Sequence, residues 1–205
     1  MASNYDNTTW FYERLSKLIF GQAQVKAQEY FFNKIQPDSH ILVIGGGTGQ
    51  ILESLTRLHP SELHITYVEI SAKMMALSRK RNTGDNEVIY ITENIGKVEF
   101  KQHFDVVITA FLFDNFSEPM LATTFSLIDA QVKAGGVWLN TDFQLTGPLW
   151  QKVMLKGMYM FFKLMGAVEI TQLPNVKRVF KLSGYHLLDE KTFYGNFIFS
   201  TIYRK

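Results

Sequence analysis

The chain contains no cysteine among its 205 residues. This absence excludes disulfide bonds, thiolate chemistry and cysteine-based zinc sites, and we expect no bound metal. Neither sign of charge predominates, because 21 basic and 19 acidic residues are intermixed and leave a formal net charge of +2. No basic block stands out, so we expect no nucleic-acid partner.

The N-terminus lacks the pattern of an export signal. MASNYDNTTW is polar and aromatic, whereas a signal peptide has a charged patch followed by an apolar core. The sequence therefore predicts a cytoplasmic protein. Aromatic residues, in contrast, are abundant, since 17 Phe, 9 Tyr and 3 Trp make up 14% of the chain. An aromatic core is the plain interpretation, and an aromatic pocket for a flat or apolar substrate is the functional one.

Short apolar runs alternate with helical segments through the middle of the chain. The predicted strands are 41–44, 65–69, 88–92, 106–110 and 137–141, and the predicted helices between them are 50–58, 72–81 and 119–132. This alternation predicts a parallel sheet covered by helices on both faces. Two β-rich runs around Tyr194-Gly195-Asn196 predict a closing antiparallel hairpin. The predicted fold class is α/β, with a Rossmann-like, seven-stranded, mostly parallel sheet and a C-terminal antiparallel hairpin.

No repeat and no low-complexity linker interrupts the chain, so a single domain over 1–205 is predicted. Residues 8–36 have helical spacing, with Gly21 as the expected break between two helices. We divide the domain into four parts. They are a helical segment 1–39, a core 40–145 that binds the ligand, a Met-rich helical cover 146–183 and the closing hairpin 184–205.

The stretch HILVIGGGTGQILESL, residues 40–55, places four glycines between an apolar run and an amphipathic one. Glycine permits positive φ and a close approach of the backbone to a ligand. The N-terminus of the following helix attracts an anion. In a parallel sheet, ligands bind at the carboxyl ends of the strands, and this loop follows the first one. We therefore predict the ligand site here, with a purely structural tight turn as the alternative.

The spacing of these glycines excludes two common loops. A phosphate-binding loop needs Gly-Lys-Ser/Thr at its end, but Gly49 is followed by Gln50. A nicotinamide or flavin site needs Gly-x-Gly-x-x-Gly, but the sixth position from Gly45 is also Gln50. The pattern is Gly-x-Gly-x-Gly instead. After the second predicted strand, Glu69 offers a carboxylate that can accept hydrogen bonds from both ribose hydroxyls and would repel a 2′-phosphate.

The Gly-x-Gly-x-Gly spacing, with Glu69 in YVEIS, resembles the class I S-adenosylmethionine-dependent methyltransferases. Three further motifs follow in the order of that family. They are NEVIYITENI, FDVVITAFLFDNF and VKAGGVWLNTDF. The last departs slightly, because Ala134 stands where the family usually has proline. A larger departure is Val43, where the family usually has an acidic residue two positions before the first glycine. One polar support of the loop is therefore missing from the motif.

The resemblance implies S-adenosylmethionine as the cofactor and a set of residues that bind it. The set comprises Gly45, Gly46, Gly47, Thr48, Gly49, Glu69, Ile70, Met74, Glu93, Asn94, Ala110, Phe111 and Tyr12. The glycines would lie against the methionine and ribose portions, and carbonyls near Ala110 would hold the ammonium. Glu93 or Asn94 would contact the adenine amino group. Ile70 and Met74 would pack on the adenine face, with plain core packing as the alternative.

The opening NYDNTTWFYERLSKLIFG and the terminal hairpin resemble the ubiquinone/menaquinone biosynthesis methyltransferases. In that group such an opening segment folds over the cofactor. Tyr5, Trp10, Phe11 and Tyr12 are therefore candidates for a lid over the site, and core packing is the alternative.

The segment TGPLWQKVMLKGMYMFFKLMGAV holds four of the eight methionines and is predicted to form a very apolar amphipathic helix. Lysines interrupt it, so it is not a membrane span. We predict a pliable substrate cover that also packs on the sheet. A core helix, or a peripheral membrane contact over 146–168, are the alternatives. Such a cover predicts a small apolar or aromatic methyl acceptor, either quinone-like or lipid-like.

Methyl transfer from a sulfonium is an in-line displacement, so the protein aligns the acceptor and excludes water but supplies no nucleophile. A poorly acidic acceptor also needs a base. Asp114 is the candidate, followed by Asp142 after the fifth predicted strand, and a loop acid or a cap is the alternative for each. His103 and His186 are expected to be structural.

Other functions stay open. An aminopropyltransferase of the spermidine synthase type shares the loop pattern, but Ala110 and Phe111 stand where that family has acids, and we find no counterpart of its N-terminal β-domain. A nucleic-acid methyltransferase would show Asn-Pro-Pro-aromatic after the fourth strand, and this chain has no such sequence there. A non-catalytic domain that keeps the fold and acts through a partner agrees with Val43 and with the lack of an obvious base. No feature of the sequence indicates an oligomeric state.

Overall fold

A seven-stranded sheet organises the chain in the computed structural model, which describes residues 16–164 and 172–205. Its strands are β1 (His40–Ile44), β2 (His64–Val68), β3 (Glu87–Ile91), β4 (Phe104–Ala110), β5 (Val132–Phe143), β6 (His186–Phe193) and β7 (Ile198–Arg204). Their spatial order is β3-β2-β1-β4-β5-β7-β6. Strands β1 to β5 pair in parallel, and β7 pairs antiparallel with both β5 and β6. The predicted fold class is confirmed, including the closing hairpin.

Helices connect the strands and cover the sheet. The α-helices are α1 (Ala23–Glu29), α2 (Gln50–Leu58), α3 (Ala72–Ser78), α4 (Glu118–Asp129), α5 (Leu149–Leu164) and α6 (Val176–Leu182), and 3₁₀ helices span Phe32–Lys34, Ile95–Lys97 and Phe113–Asn115. Residues 16–20 are also helical, and Gly21, with a φ of +58°, separates them from α1 as predicted. The lid candidates Tyr5, Trp10, Phe11 and Tyr12 lie outside the described residues.

The sequence misplaced the boundary between α4 and β5. A helix was expected over 119–132 and a strand over 137–141, but α4 ends at Asp129 and β5 begins at Val132. Val132 already pairs with Phe104 of β4, and Gly135, with a φ of +77°, lies within the strand. The register shift there hides the strand pattern, because the alternation of apolar and polar residues is interrupted. Ser117 precedes α4 as its N-cap, but its side chain makes no capping hydrogen bond.

Two apolar clusters pack against opposite faces of the sheet. Alternate residues of β1 point to opposite faces, so Val43 contributes to one cluster with α2, and Leu42 to the other with α4. The second cluster is rich in aromatic rings, and Trp138 stacks on Phe125 with ring centroids 4.8 Å apart. The aromatic residues of this cluster therefore belong to the core, as the plain interpretation of the aromatic content expected. Apolar burial of this kind is the main stabilising term in folding.

The strand order reverses beside β1. The chain runs from β1 outwards to β2 and β3, then returns to β4 on the other side of β1 and continues to β5. The loops that follow β1 and β4 therefore lead away from each other and leave a crevice between them. Gly45 directly follows β1 and Phe111 directly follows β4, so both lie at the crevice.

Candidate cofactor-binding site

The glycine loop is closely packed by the chain itself. A Cβ atom added at Gly46 would lie 2.3 Å from Cε2 of Tyr67, and one at Gly49 would lie 2.7 Å from Cα of Ser78. At Gly45 it would meet Cδ1 of Leu112 at 2.8 Å. Gly47 has more room, with its nearest neighbour at 3.8 Å, but its φ of +63° favours glycine. The glycines were expected to make room for a ligand, and the structure adds internal packing as a second reason.

Two side chains hold this loop, Tyr67 on β2 and Glu69 directly after it. The Tyr67 hydroxyl donates a hydrogen bond of 2.9 Å to the carbonyl of Gly47. The Gly47 N–H donates to Oε2 of Glu69 at 2.9 Å, and the N–H of Ser71 donates to Oε1 at 2.8 Å. Val43 is buried in the core. The polar support that the loop motif lacks at Val43 therefore comes from Tyr67, which the sequence analysis missed.

Arg81 is a second residue that sequence reasoning missed. Its Nε donates to the carbonyl of Thr48 at 2.9 Å, and its Nη1 lies 3.4 Å from Oε2 of Glu53 on α2. These bonds tie the loop to the segment after α3. A partner so distant in sequence carries no local signal, since only the fold brings Arg81 and Thr48 together.

A cavity of about 1040 Å³ opens at the crevice and collects nearly all of the expected site residues. Its lining includes Gly45, Gly46, Gly47, Thr48, Glu69, Ile70, Met74, Glu93, Asn94, Ala110, Phe111 and Asp114. Gly49 is not among them, because it is the N-cap of α2 and faces Ser78. Tyr12 lies outside the described residues. Met74 is buried and Ile70 is 41% exposed, so Ile70 lies at the rim.

The loop after β4 forms the opposite wall of the crevice. Phe111 has a φ of +53°, and its N–H donates to the carbonyl of Thr141 at 2.8 Å. Its carbonyl accepts a bond of 3.0 Å from Nδ2 of Asn115, and its ring packs against Phe143 at 4.9 Å. Beyond β3, Oδ1 of Asn94 accepts from the N–H of Gly96. These bonds fix the polar rim of the crevice.

Two carboxyl groups meet behind this wall. Oδ2 of Asp142 accepts from the N–H of Asp114 at 3.2 Å, and Oδ1 accepts from the N–H of Phe143 at 2.8 Å. Asp142 was expected after the fifth strand, but β5 continues through Phe143 and buries it. Asn115 Nδ2 donates to Oδ1 of Asp114 at 2.7 Å, and the Tyr159 hydroxyl donates to its carbonyl at 3.2 Å. Of the two acids, Asp114 lines the cavity.

Burial decides the protonation of this acid pair. It raises the pKa of Asp142 to about 7. Burial, to which the charge of Asp142 adds, raises the pKa of Asp114 well above its usual value. A carboxyl group that keeps its proton donates a hydrogen bond and accepts no proton. The raised pKa therefore favours Asp114 as a hydrogen-bond donor over Asp114 as a base.

The far end of the cavity is apolar and aromatic. Its lining there includes Phe20, Phe111, Phe143, Trp150, Val153, Met154, Met158 and Phe161. Helix α5 supplies one stripe of these residues, and its next stripe, Gln151, Leu155 and Tyr159, is buried against the rest of the chain. The helix thus lies along the cavity and packs on the fold at once. The aromatic excess has both of its expected roles, in the core and in a pocket wall.

Other expectations concern residues away from the cavity. His103 precedes β4 at the opposite edge of the sheet and His186 begins β6, and both are exposed. Among residues 16–164 and 172–205, no group of three or more His, Cys, Asp or Glu side chains is arranged to hold a metal ion. Within the same part of the chain, no helix combines the length and the apolar character needed to cross a membrane.

Comparison with known proteins agrees with the fold. Residues 41–136, which hold the glycine loop and the crevice, match the family model described as a methyltransferase domain. The methyltransferase NodS from Bradyrhizobium japonicum WM9, solved with S-adenosyl-L-homocysteine, has a TM-score of 0.64 at 11% identity over 97% of this chain and 89% of that one. The plantazolicin methyltransferase BpumL, also solved with that compound, has a TM-score of 0.68 at 13% identity over 97% and 88%. At these identities the likeness shows the fold alone.

The expected resemblance to the class I S-adenosylmethionine-dependent methyltransferases is confirmed. The similarity in sequence extends to the ubiquinone/menaquinone biosynthesis C-methyltransferase UbiE of Wigglesworthia glossinidia brevipalpis, which is 31% identical over 163 residues, 76% of this chain and 62% of that protein. A malonyl-[acyl-carrier protein] O-methyltransferase of Bacillus cereus is 27% identical over 121 residues, 59% of this chain and 36% of that protein. The chain thus spans less than two thirds of the length of either relative.

Proposed function

We propose that the chain is a methyltransferase that uses S-adenosylmethionine and transfers its methyl group to a small apolar or aromatic acceptor, quinone-like or lipid-like. One observation carries the proposal: a single cavity joins the glycine loop and Glu69 at one end to the apolar wall of α5 at the other. The similarity to UbiE, whose name assigns it to quinone biosynthesis, supports this acceptor class.

The cofactor would occupy the polar end of the cavity. Both oxygens of Glu69 are held by backbone N–H groups, so its carboxylate is fixed beside the loop where ribose hydroxyls would lie. Ile70 and Met74 would flank the adenine ring, and Glu93 or Asn94 would meet its amino group, since all four line the cavity. The positively charged ammonium would lie near the loop after β4, at Ala110 and Phe111.

The acceptor would occupy the apolar end. Ligand cavities commonly measure about 300–1,000 Å³, so a cavity of about 1040 Å³ has room for a cofactor and an acceptor together. The sulfonium loses its positive charge as the methyl group moves. Walls of Phe111, Phe143 and Met158 would exclude water and hold the acceptor in line with the methyl group. The lid proposed for the N-terminal segment and the role of α5 as a cover belong to this same proposal.

The acid pair limits the choice of acceptor. Because burial and the charge of Asp142 raise the pKa of Asp114 and so favour its protonated form, Asp114 would orient an acceptor oxygen by donating a hydrogen bond. The proposal therefore favours an acceptor that loses its own proton readily over one that needs a strong base. The absence of a nucleic-acid partner and a cytoplasmic location stay predictions from the sequence.

Calorimetry tests the cofactor half of the proposal. S-adenosylmethionine, S-adenosylhomocysteine, the decarboxylated cofactor and NAD are titrated into the wild type, into Glu69→Ala and into Glu99→Ala, an exposed acid remote from the cavity lining. We expect the first two ligands to bind the wild type and Glu99→Ala, and Glu69→Ala to lose that binding. Transfer of a labelled methyl group to a panel of quinone-like and lipid-like acceptors then tests the other half.

Each other outcome selects a rival function. Preference for the decarboxylated cofactor would support aminopropyl transfer, although the apolar Ala110 and Phe111 line the place where that class has acids. Binding without transfer to any acceptor would support a non-catalytic domain. No binding of any of the ligands would overturn the proposal.

A further inference from the structure

Helix α5 has three stripes with different surroundings. One stripe is buried and one lines the cavity, as described above. The third faces outwards at helical spacing and consists of Leu149, Lys152, Lys156, Met160 and Lys163, all of them exposed. On an ordinary protein surface such a stripe would be polar throughout. This outward stripe instead combines two large apolar side chains with three positively charged ones.

The apolar members of this surface are unusually open to water. Leu149 is 78% exposed and Met160 is 65% exposed. Val153 is 70% exposed and also lines the cavity, so it marks the mouth. Ser16, Lys17, Ile19 and Phe20 line the same cavity, and Leu18 between them is 83% exposed. Large apolar side chains thus surround the opening through which an acceptor would enter.

The charge of this surface has one sign. Lys152, Lys156 and Lys163 lie on the outward stripe, and Lys17 lies at the mouth. Residues 143–164 contain no aspartate and no glutamate, although acids and bases are intermixed over the whole chain. Lysine side chains are long enough to reach the headgroups of a bilayer while neighbouring apolar side chains enter it.

We infer that the outward stripe of α5, together with Leu18, docks the mouth of the cavity on the surface of an anionic lipid bilayer. Anionic headgroups complement the lysines, and the exposed apolar residues insert between them. The inference goes beyond the proposed function, because it assigns the place from which the chain takes an apolar acceptor. A second copy of the chain is a poorer occupant, since a symmetric contact would bring two acid-free, lysine-bearing surfaces together.

Sedimentation with vesicles tests the charge of the occupant. The full chain is mixed with vesicles of phosphatidylcholine alone and of phosphatidylcholine with phosphatidylserine, at low and at high salt. We expect binding to the anionic vesicles that weakens as salt rises. The double variant Lys152→Gln/Lys156→Gln should bind about 25-fold more weakly, because each basic residue at such a surface contributes about fivefold. Lys34→Gln/Lys101→Gln, at the opposite edge of the sheet, is the matched control and should bind like the wild type.

Removal of the apolar residues tests insertion. We expect Leu149→Ser/Met160→Ser to weaken binding to anionic vesicles, while Ile89→Ser/Leu187→Ser, exposed on β3 and β6, leaves it unchanged. Calorimetry with S-adenosylhomocysteine and thermal unfolding verify that each variant is folded. Equal binding to neutral and anionic vesicles, or no binding to either by a folded chain, would overturn the inference. So would self-association, measured by light scattering, that the same variants abolish. Vesicle binding is measured without methyl transfer, so failure of the proposed function and failure of this inference give different results.

Discussion

The two ends of the cavity are built by different means. The polar end is defined by backbone, because the Gly45–Gly49 loop is fixed by positive φ values and by hydrogen bonds to its own amides and carbonyls. The apolar end is defined by side chains that come from α5, from β5 and from residues 16–20. Backbone geometry tolerates few substitutions, whereas an apolar wall can be rebuilt from other apolar residues. The first end thus suits an invariant cofactor and the second an acceptor that differs between relatives.

The largest expected effect comes from adding one methyl group at each end. Gly46→Ala would place a Cβ atom 2.3 Å from the Tyr67 ring, which must move and release Gly47. We expect the free energy of unfolding to fall by about 1–3 kcal/mol, as for other overpacked cores, and cofactor binding to be lost. Gly157→Ala on α5 meets open space in a helix, so the free energy of unfolding should rise by about 0.5–1 kcal/mol. Chemical denaturation measures both, and equal effects at the two ends would contradict the comparison.

A smaller effect concerns pH and the acid pair between the two ends. The pKa values of Asp114 and Asp142 are raised in the folded chain, so their stabilising contribution is full below the unfolded value near pH 4 and is lost as the pH rises towards about 7. We expect the free energy of unfolding to fall as the pH rises over this window, because the unfolded chain releases these two protons before the folded chain does. Denaturation of the wild type and of Asp114→Asn across this window should show a shallower slope in the variant. The exposed Asp85→Asn is the control, and an unchanged slope in Asp114→Asn would contradict the assignment.

The smallest effect separates the two binding functions. Tyr67→Phe removes the hydrogen bond to the Gly47 carbonyl, at a cost of about 1 kcal/mol, and should weaken cofactor binding with little change in acceptor KM. Met158→Ala removes apolar contact at the other end, worth about 0.8 kcal/mol per methylene-sized group, and should raise acceptor KM with cofactor affinity unchanged. Calorimetry and steady-state kinetics measure the pair. Parallel changes in both quantities, for either variant, would show that the two ends are not separate.

The sequence predicted the polar end better than the apolar end. Glycine spacing and Glu69 are local signals, and the fold brings nearly all of the expected residues to one cavity. Tyr67 was missed because a tyrosine inside a buried strand looks like core, and only the neighbouring loop reveals its hydroxyl partner. Asp142 was placed outside β5 because its charge suggested a loop. Burial of that charge depends on Asp114 and on the pairing of β5 with β7, neither of which is local.

The position of β7 has a consequence for synthesis of the chain. The N-terminal part of a nascent chain leaves the ribosome first. Strand β7 is the last of the seven strands to emerge, yet it lies between β5 and β6 in the sheet. Until then β5 presents an unpaired edge of twelve residues, and unpaired edges are prone to aggregation. Thr141 and Asp142, which support the loop after β4, pair with Ser200 and Phe199. The nascent chain therefore cannot finish its cavity before β7 has left the ribosome, and its β5 edge is where a chaperone would be needed.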